Sequence, residues 1–378
     1  MLATPQSLTD VTVEWMAEAL GVELNGIDVC RIAEGHGFMG QLGRVTLHSG
    51  KSHSGKSYSG EPTAPSSVIV KLPTSDPGAH FVGELMRVWE REHCFYRDIA
   101  PQLNIRVPQA LVNIAEPPCL VLEDMSTGGS AGVAGDHVAG ATLDQAERAI
   151  DLLARHHAAW FEHPLLKTFT WMPGLDDPSI LTIGPTFELG WPQFLERFAG
   201  ELPPRCLRWC ERFVEGIPDW IRGHYGDPVT ITHGDFRLDN LFFFDDGTVA
   251  VIDWQMCMRA PGQADLVYFC ANNLSVEMRR AHEDALIERY VAGLHAAGVP
   301  ADAVTLEGVR RGYLEGLLFY AMSFGASLLT IDPANERGSA LFDALVRRTF
   351  TAVDDRDVGT AMGFDDVPPP TIKERTQP

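Results

Sequence analysis

Residues 231–255 read ITHGDFRLDNLFFFDDGTVAVIDWQ. Two apolar runs, LFFF and VAVI, are separated by Asp245-Asp246-Gly247. An Asp-Gly step between apolar runs signals a tight β-hairpin. The runs are too apolar to face water, so the ribbon is buried on at least one face. Its open end is polar. Asn240 precedes the first run, Asp253 follows the second, and His233 and Asp235 lie just upstream. Antiparallel pairing brings Asn240 and Asp253 close in space, with Asp235 on the adjoining loop. A carboxylate, a carboxamide and a second carboxylate then share one edge. Hard oxygen donors of this kind suit Mg²⁺, which leaves Asp235 to accept a proton from a hydroxyl. Singly, each of these residues is also a common turn cap.

The rest of the chain divides into a β-rich first third and a mainly helical remainder. Residues 9–20 have the pattern of a short amphipathic helix stopped by Gly21. Residues 27–48 alternate as strand, glycine-rich turn and strand, and Val68-Ile69-Val70-Lys71-Leu72 is a β-branched strand with a lysine inside it. Residues 49–67 are polar and low in complexity, which predicts a mobile loop. A single helix is expected over 81–100, where apolar residues recur every three or four positions. Cys119–Met125 forms a further strand. The glycine-rich stretch 126–140 follows, and the domain boundary is placed there. Thr142 with Gln145 makes a capping box for the next helix, and more helices are expected near 192–199, 203–222, 276–297, 305–329 and 339–353. The quoted hairpin is the one β signal in this half. The fold class is therefore α+β and bilobal: an N-terminal lobe over 1–125, a helical C-terminal lobe over 126–360 and a tail over 361–378.

The hairpin loop has the spacing His233-Gly234-Asp235-x4-Asn240, followed by Ile252-Asp253-Trp254-Gln255. Protein kinases carry H-R-D-x4-N and then D-F-G. With Gly in place of Arg and Trp-Gln in place of Phe-Gly, this sequence resembles the aminoglycoside phosphotransferase and choline-kinase-like family, most of all its ecdysteroid-kinase-like branch. The resemblance implies a bilobal protein-kinase-like fold. It also implies ATP and Mg²⁺ as cofactors, with Asp235 as catalytic base and Asn240 and Asp253 holding the metal. Lys71, in a segment similar to V-A-I-K, would hold the nucleotide phosphates, although an edge-strand lysine turned to water would read the same way. Its partner would be a glutamate on the next helix. Glu84, Glu90 and Glu92 are all available by periodicity, and Glu-x-x-Phe-Tyr at 92–96, similar to the family helix, selects Glu92. Gly35, Gly37 and Gly40 satisfy G-x-G-x-x-G between two strands, where a phosphate-covering turn is implied. Backbone groups near Glu123 to Met125 would meet the adenine. Asp265 resembles a family aspartate that braces the catalytic loop.

The acceptor implied is a small-molecule hydroxyl. Asp265 follows Asp253 by only twelve positions, and no A-P-E occurs between them, so a protein kinase's activation segment has no room. The family's acceptors include aminoglycosides, choline-like amines, amino sugars and sterols. The formal charge of -21, from 30 basic and 51 acidic residues, argues against nucleic acid or anionic membrane as a partner. It is compatible with a cationic acceptor. The aromatic run within 313–324 could line an acceptor pocket, but helix core is the better reading. His156 and His157 point about 100° apart on a helix and are expected to pack or to support the catalytic loop rather than share an ion. Seven scattered cysteines without a CxxC pair fit reduced thiols in a cytosolic protein. Neither a secretory leader nor a membrane-spanning run is expected. Two other readings stay open: a metal-dependent hydrolase clustering Asp235, Asp239, Asp253 and His233, and a nucleotide-binding pseudokinase.

Overall fold

The computed structural model describes residues 3–32, 40–49, 65–127, 131–224, 226–330 and 336–364. Residues 50–64 of the expected loop and 365–378 of the expected tail lie outside that set, as do Gly35 and Gly37. The N-terminal half is built on an antiparallel sheet of five strands in the order β1-β2-β3-β5-β4. These strands are β1 (Gly26–Arg31), β2 (Gly40–His48), β3 (Ser67–Pro73), β4 (Ala110–Ile114) and β5 (Cys119–Glu123). Strand side chains alternate between faces. Val68, Val70 and Leu72 of β3 pack with Val45, Leu47, Cys119 and Val121 under Trp15 and Met16. Those last two come from helix α1 (Val13–Leu20), which starts at the Thr12 cap and is preceded by a 3₁₀ turn over Leu8–Asp10. The alternation sends Ile69 and Lys71 to the opposite face.

That opposite face receives α3 (Val88–Cys94), which follows α2 (Pro77–Leu85) and continues as a π-helical turn over Phe95–Ile99. The single helix expected over 81–100 is thus two. The break falls at Arg87, which adopts a left-handed conformation (φ 54°) and pairs with Asp177 at 2.7 Å. Restarting there lets α3 present Glu92 and Phe95 inward on its own axis.

The C-terminal half is helical. Helix α4 (Leu143–Trp160) has the expected capping box of Thr142 and Gln145. Beyond it come α5 (Ile183–Phe198), α6 (Pro204–Gly223), α7 (Gln263–Asn273), α8 (Val276–Ala296), α9 (Leu306–Ser327), α10 (Glu336–Asp355) and the short α11 (Val358–Ala361). Strand pairs are embedded among them. The predicted hairpin is β8 (Leu241–Phe243) with β9 (Val249–Val251), in register Leu241↔Val251. On its other side β8 pairs with β6 (Val133–Ala134). A further pair, β7 (Thr230–Thr232) and β10 (Met258–Ala260), closes the loop that carries the candidate site. All seven cysteines are free. Among the described residues no helix is long and apolar enough to cross a membrane.

Helices α5 and α9 pack against each other through glycines. A Cβ added at Gly190 would lie 1.9 Å from the Gly325 carbonyl oxygen, far inside van der Waals contact. Gly190→Ala should force the two helices apart and cost about 1–3 kcal/mol, as overpacked interiors do. Urea unfolding measures this, and a midpoint equal to wild type would refute the packing argument.

Candidate active site

Helix α3, strand β3 and the hairpin meet around one lysine. Lys71 is only 8% exposed. Its Nζ lies 2.5 Å from Glu92 Oε2 and 2.6 Å from Asp253 Oδ1. A buried ammonium is tolerated only where it is paired, and here two carboxylates hold it. Burial pulls the Lys71 ammonium down, but the Asp253 and Glu92 charges outweigh it and the net shift is upward. Burial also raises Asp253, yet Lys71 wins and holds that carboxyl below its ordinary range. Glu92 goes the other way. Burial outweighs the Lys71 charge and pushes it up to about 7. Of the three glutamates left open by periodicity, Glu92 therefore faces Lys71. Glu90 is exposed and Glu84 lies at the surface near His80.

Two residues three apart on the α3 segment engage consecutive residues of the IDWQ turn. Glu92 reaches Asp253 through Lys71, and Phe95 stacks on Trp254 with centroids 4.3 Å apart and planes at 9°. Trp254 is buried, and His233 and His156 meet its ring at 4.8 and 5.2 Å. Asp253 itself is left-handed, at φ 64° and ψ 62°. A non-glycine residue held there costs on the order of 1 kcal/mol, and such strain concentrates at functional positions.

The catalytic-loop candidates are tied to one another. Ile252 donates its backbone N–H to the Asn240 carbonyl at 2.9 Å, closing the hairpin's open end. Asn240 Nδ2 donates to the Asp235 carbonyl at 2.9 Å and to Asp235 Oδ2 at 3.2 Å. Its side-chain oxygen is the atom left for a cation. Arg237 Nε lies 3.3 Å from Asp235 Oδ2. His233 Nδ1 accepts from the Asp235 amide at 3.2 Å, so its Nε2–H donates to the Ile252 carbonyl at 2.9 Å. Gly234 sits at φ 80°, and a Cβ there would lie 2.4 Å from the Met256 carbonyl oxygen. Glycine stands in the kinase arginine position because two backbones touch.

Helix α7 supports this loop residue by residue. Asp265, fully buried, accepts from the His233 amide at 2.6 Å and the Gly234 amide at 3.0 Å. His157 reaches Asp265 at 3.3 Å and Tyr290 at 2.8 Å, which gives it a supporting place. Asn273 accepts from the Leu238 amide at 2.7 Å.

Of the expected nucleotide-edge residues, Gly40, Glu123 and Met125 lie in the described set. Gly40 opens β2 opposite Pro73, and a Cβ on it would stand 3.8 Å from Lys71 Cε. The Glu123 amide donates to the Gln109 carbonyl, and the Met125 carbonyl accepts from Gly132. Between them Asp124 accepts from Arg44 at 2.8 Å and from Ser67 at 2.7 Å, fixing the segment to β2 and β3.

A family model described as "Phosphotransferase enzyme family" matches residues 63–303, more than half of the chain. The chain belongs to the phosphotransferase enzyme family. No curated protein sequence matches it. Solved structures share its fold at low identity. The GDP and kanamycin complex of APH(2″)-IIia aligns at TM-score 0.52 and 11% identity, over 92% of this chain and 99% of that one. A GDP complex of an aminoglycoside 2′-phosphotransferase IIIa variant aligns at 0.50 and 11%, over 94% and 100%. The choline kinase LicA from Streptococcus pneumoniae gives 0.49 and 12%, over 89% and 98%. The phosphotransferase is thus an α+β protein with a β-sheet N-terminal region and a helical C-terminal part, a fold it shares with solved phosphotransferases.

Sequence reasoning missed Tyr268, which donates to Asp235, and Asp124. Tyr268 lies outside the quoted motifs, and Asp124 lies in the 119–125 strand, where only backbone groups were considered.

Glu92 gives this phosphotransferase a pH signature. An ordinary glutamate ionises near 4.5, whereas folded Glu92 keeps its proton up to about 7. The folded state then binds more protons across that window, so its stability falls as pH rises from about 4.5 to about 7. Glu92→Gln should remove this slope. In urea unfolding of the nucleotide-free protein, the variant should gain on wild type between pH 5 and pH 7. Equal slopes would show that Glu92 is not the responsible group.

Proposed function

We propose that this phosphotransferase moves the γ-phosphoryl group of ATP to a hydroxyl of a small molecule, with Asp235 as the base. The observation that carries the reading is the Lys71 bridge. A strand lysine joins a helix glutamate to the aspartate after the hairpin, beside a loop whose Asn240 and Asp235 are hydrogen-bonded to each other. In this reading residues 1–125 form the nucleotide-binding lobe and 126–360 the lobe with the catalytic loop and acceptor site. Lys71, oriented by Glu92, binds the α/β phosphates. Gly40 brings backbone close beside it, and groups of 123–125 not already paired face the adenine.

The residues present fit Mg²⁺. Asn240 and Asp253 offer hard oxygens, and among the described residues no group of three His, Cys, Asp or Glu could hold an ion alone. Magnesium is commonly held by one or two protein oxygens together with nucleotide phosphates. When bound, it would supply charge neutralisation at the phosphates. The chain's own residues do the rest. Asp235 orients the acceptor hydroxyl and takes its proton as the new O–P bond forms. The bond from phosphorus to the departing ADP oxygen breaks, and Lys71 faces the charge that develops there. The same lack of an all-protein cluster weighs against the hydrolase reading, since Asp239 turns its carboxylate to the His137 amide at 3.0 Å. The filled set of Lys71, Asp235, Asn240 and Asp253 weighs against a pseudokinase.

Nucleotide consumption over a panel of hydroxyl compounds tests this, with ATP and GTP as donors. The panel should span aminoglycosides such as kanamycin, choline-like amines, amino sugars and sterols. Asp235→Asn and Asp253→Ala should each lower turnover by about 10³-fold. An Asp253→Ala protein as active as wild type would overturn the proposal.

A further inference from the structure

Tyr268 lies three residues after Asp265 on α7, one helical turn along the same face. Asp265 holds the backbone of the catalytic loop. Tyr268 reaches its side chain: Tyr268 Oη donates to Asp235 Oδ1 at 2.7 Å. The other oxygen, Oδ2, faces Asn240 Nδ2 at 3.2 Å and Arg237 Nε at 3.3 Å. Both oxygens of the Asp235 carboxylate are thereby tethered, one from the helix and one from the loop. The tyrosine ring is itself held, meeting Tyr320 of α9 at 5.1 Å with planes at 71°. Tyr320 in turn donates to the Ala264 carbonyl at 3.3 Å. Burial first, and then the Asp235 charge, keep the Tyr268 hydroxyl protonated well above the ordinary tyrosine range. It is therefore a permanent donor and does not compete for the acceptor's proton.

We infer that Tyr268 is a positioning residue for phosphoryl transfer, its hydroxyl fixing the rotation of the Asp235 carboxylate so that one lone pair faces the acceptor hydroxyl. This assignment rests on Asp235 being the base. A carboxylate free to turn about its Cβ–Cγ bond spreads that lone pair over many directions. One held at both oxygens presents it in one direction, and misplacement on the order of 1 Å at a reacting atom can cost a hundredfold in rate. The residues that bind nucleotide in the proposed function lie outside this contact, so the effect should fall on turnover.

The test uses the full chain with Mg·ATP and the acceptor found in the panel above, compared with basal ATP hydrolysis. Tyr268→Phe keeps the ring against Tyr320 and removes only the hydroxyl. Its kcat should fall roughly tenfold to fiftyfold, with KM for ATP and Mg·ADP affinity within about twofold of wild type, the affinity also showing that the variant is folded. Tyr268→Leu removes ring and hydroxyl together. If the phenylalanine variant turns over as wild type while the leucine variant is slow, the residue only packs, and the proposal is overturned. A double-mutant cycle gives a second measurement. Tyr268→Phe should change nothing further in an Asp235→Asn background, because contacting residues that act through one group are not additive. Additive losses would place its effect elsewhere and overturn the proposal. If Asp235→Asn itself is as active as wild type, the base assignment fails and this one falls with it. An inactive Asp235→Asn beside a fully active Tyr268→Phe sinks the positioning role alone.

Discussion

An ammonium buried between two carboxylates is the interaction on which the rest of the molecule depends. Lys71 sits on the face of β3 turned away from the small core under α1, so it must meet whatever lies across from the sheet. Unpaired, it would be costly to bury. Paired with Glu92 and Asp253, it joins the sheet, α3 and the turn after the hairpin at one atom. Removing one partner of such a group leaves the other charge uncompensated, which is far more damaging than the net worth of the pair suggests. The Phe95–Trp254 stack repeats the connection in apolar form one helical turn further on. Polar and apolar contacts thus agree on a single placement of α3 against the IDWQ turn.

The loop on the other side of the site is held from below. Its backbone runs from His233 to Asn240 with little regular structure, yet few of its polar groups are idle. Asp265 takes two amides, Asn273 a third, and Asn240 folds back on Asp235. Buried backbone donors need partners, and α7 supplies them at a spacing that matches the loop. The close approach of Gly234 to Met256 shows how little room remains. A side chain there would push apart the two segments that carry Asp235 and Asp253.

The hairpin and its polar ends were legible because apolar runs around Asp-Gly have few alternatives, and because the HGD-x4-N spacing is too specific to arise from turn caps alone. Lys71 was legible as a charge inside an apolar strand. Other features were hidden for physical reasons. Strands β7 and β10 are three residues each, too short to show a period. Strand β4 is half-buried throughout and interrupted by a bulge, so its alternation is blurred. The break between α2 and α3 depends on Arg87, whose left-handed backbone is matched by a partner ninety residues away, Asp177, that no local pattern can supply. Helix α7 carries buried polar residues on the face it turns to the loop, which flattens the amphipathic signal that marks a helix. Asp265 could be found only through the family resemblance, and Tyr268 only through the fold. The glycine motif at 35–40 is represented in the described structure by Gly40 alone.

Net charge is a poor guide to this site. The formal charge of -21 belongs to the whole chain, and part of the acidity is spent in solvent-exposed pairs such as Arg205 with Asp354 and Arg289 with Asp151. Even Glu315, half-buried on α9, is occupied by His224 at 2.8 Å and Arg311 at 3.2 Å. A total of this kind does not say where on the surface the unmatched carboxylates lie, so the site has to be read from its own charges. What counts is the local balance. Lys71 lies between Glu92 and Asp253, while Asp235, Asp253 and Asp239 act on Arg237. Burial shifts Glu92 towards its neutral form. The charge a ligand would meet there is set by how these few groups pair and how deeply they are buried, because interactions in a low-dielectric interior outweigh those of distant surface charges.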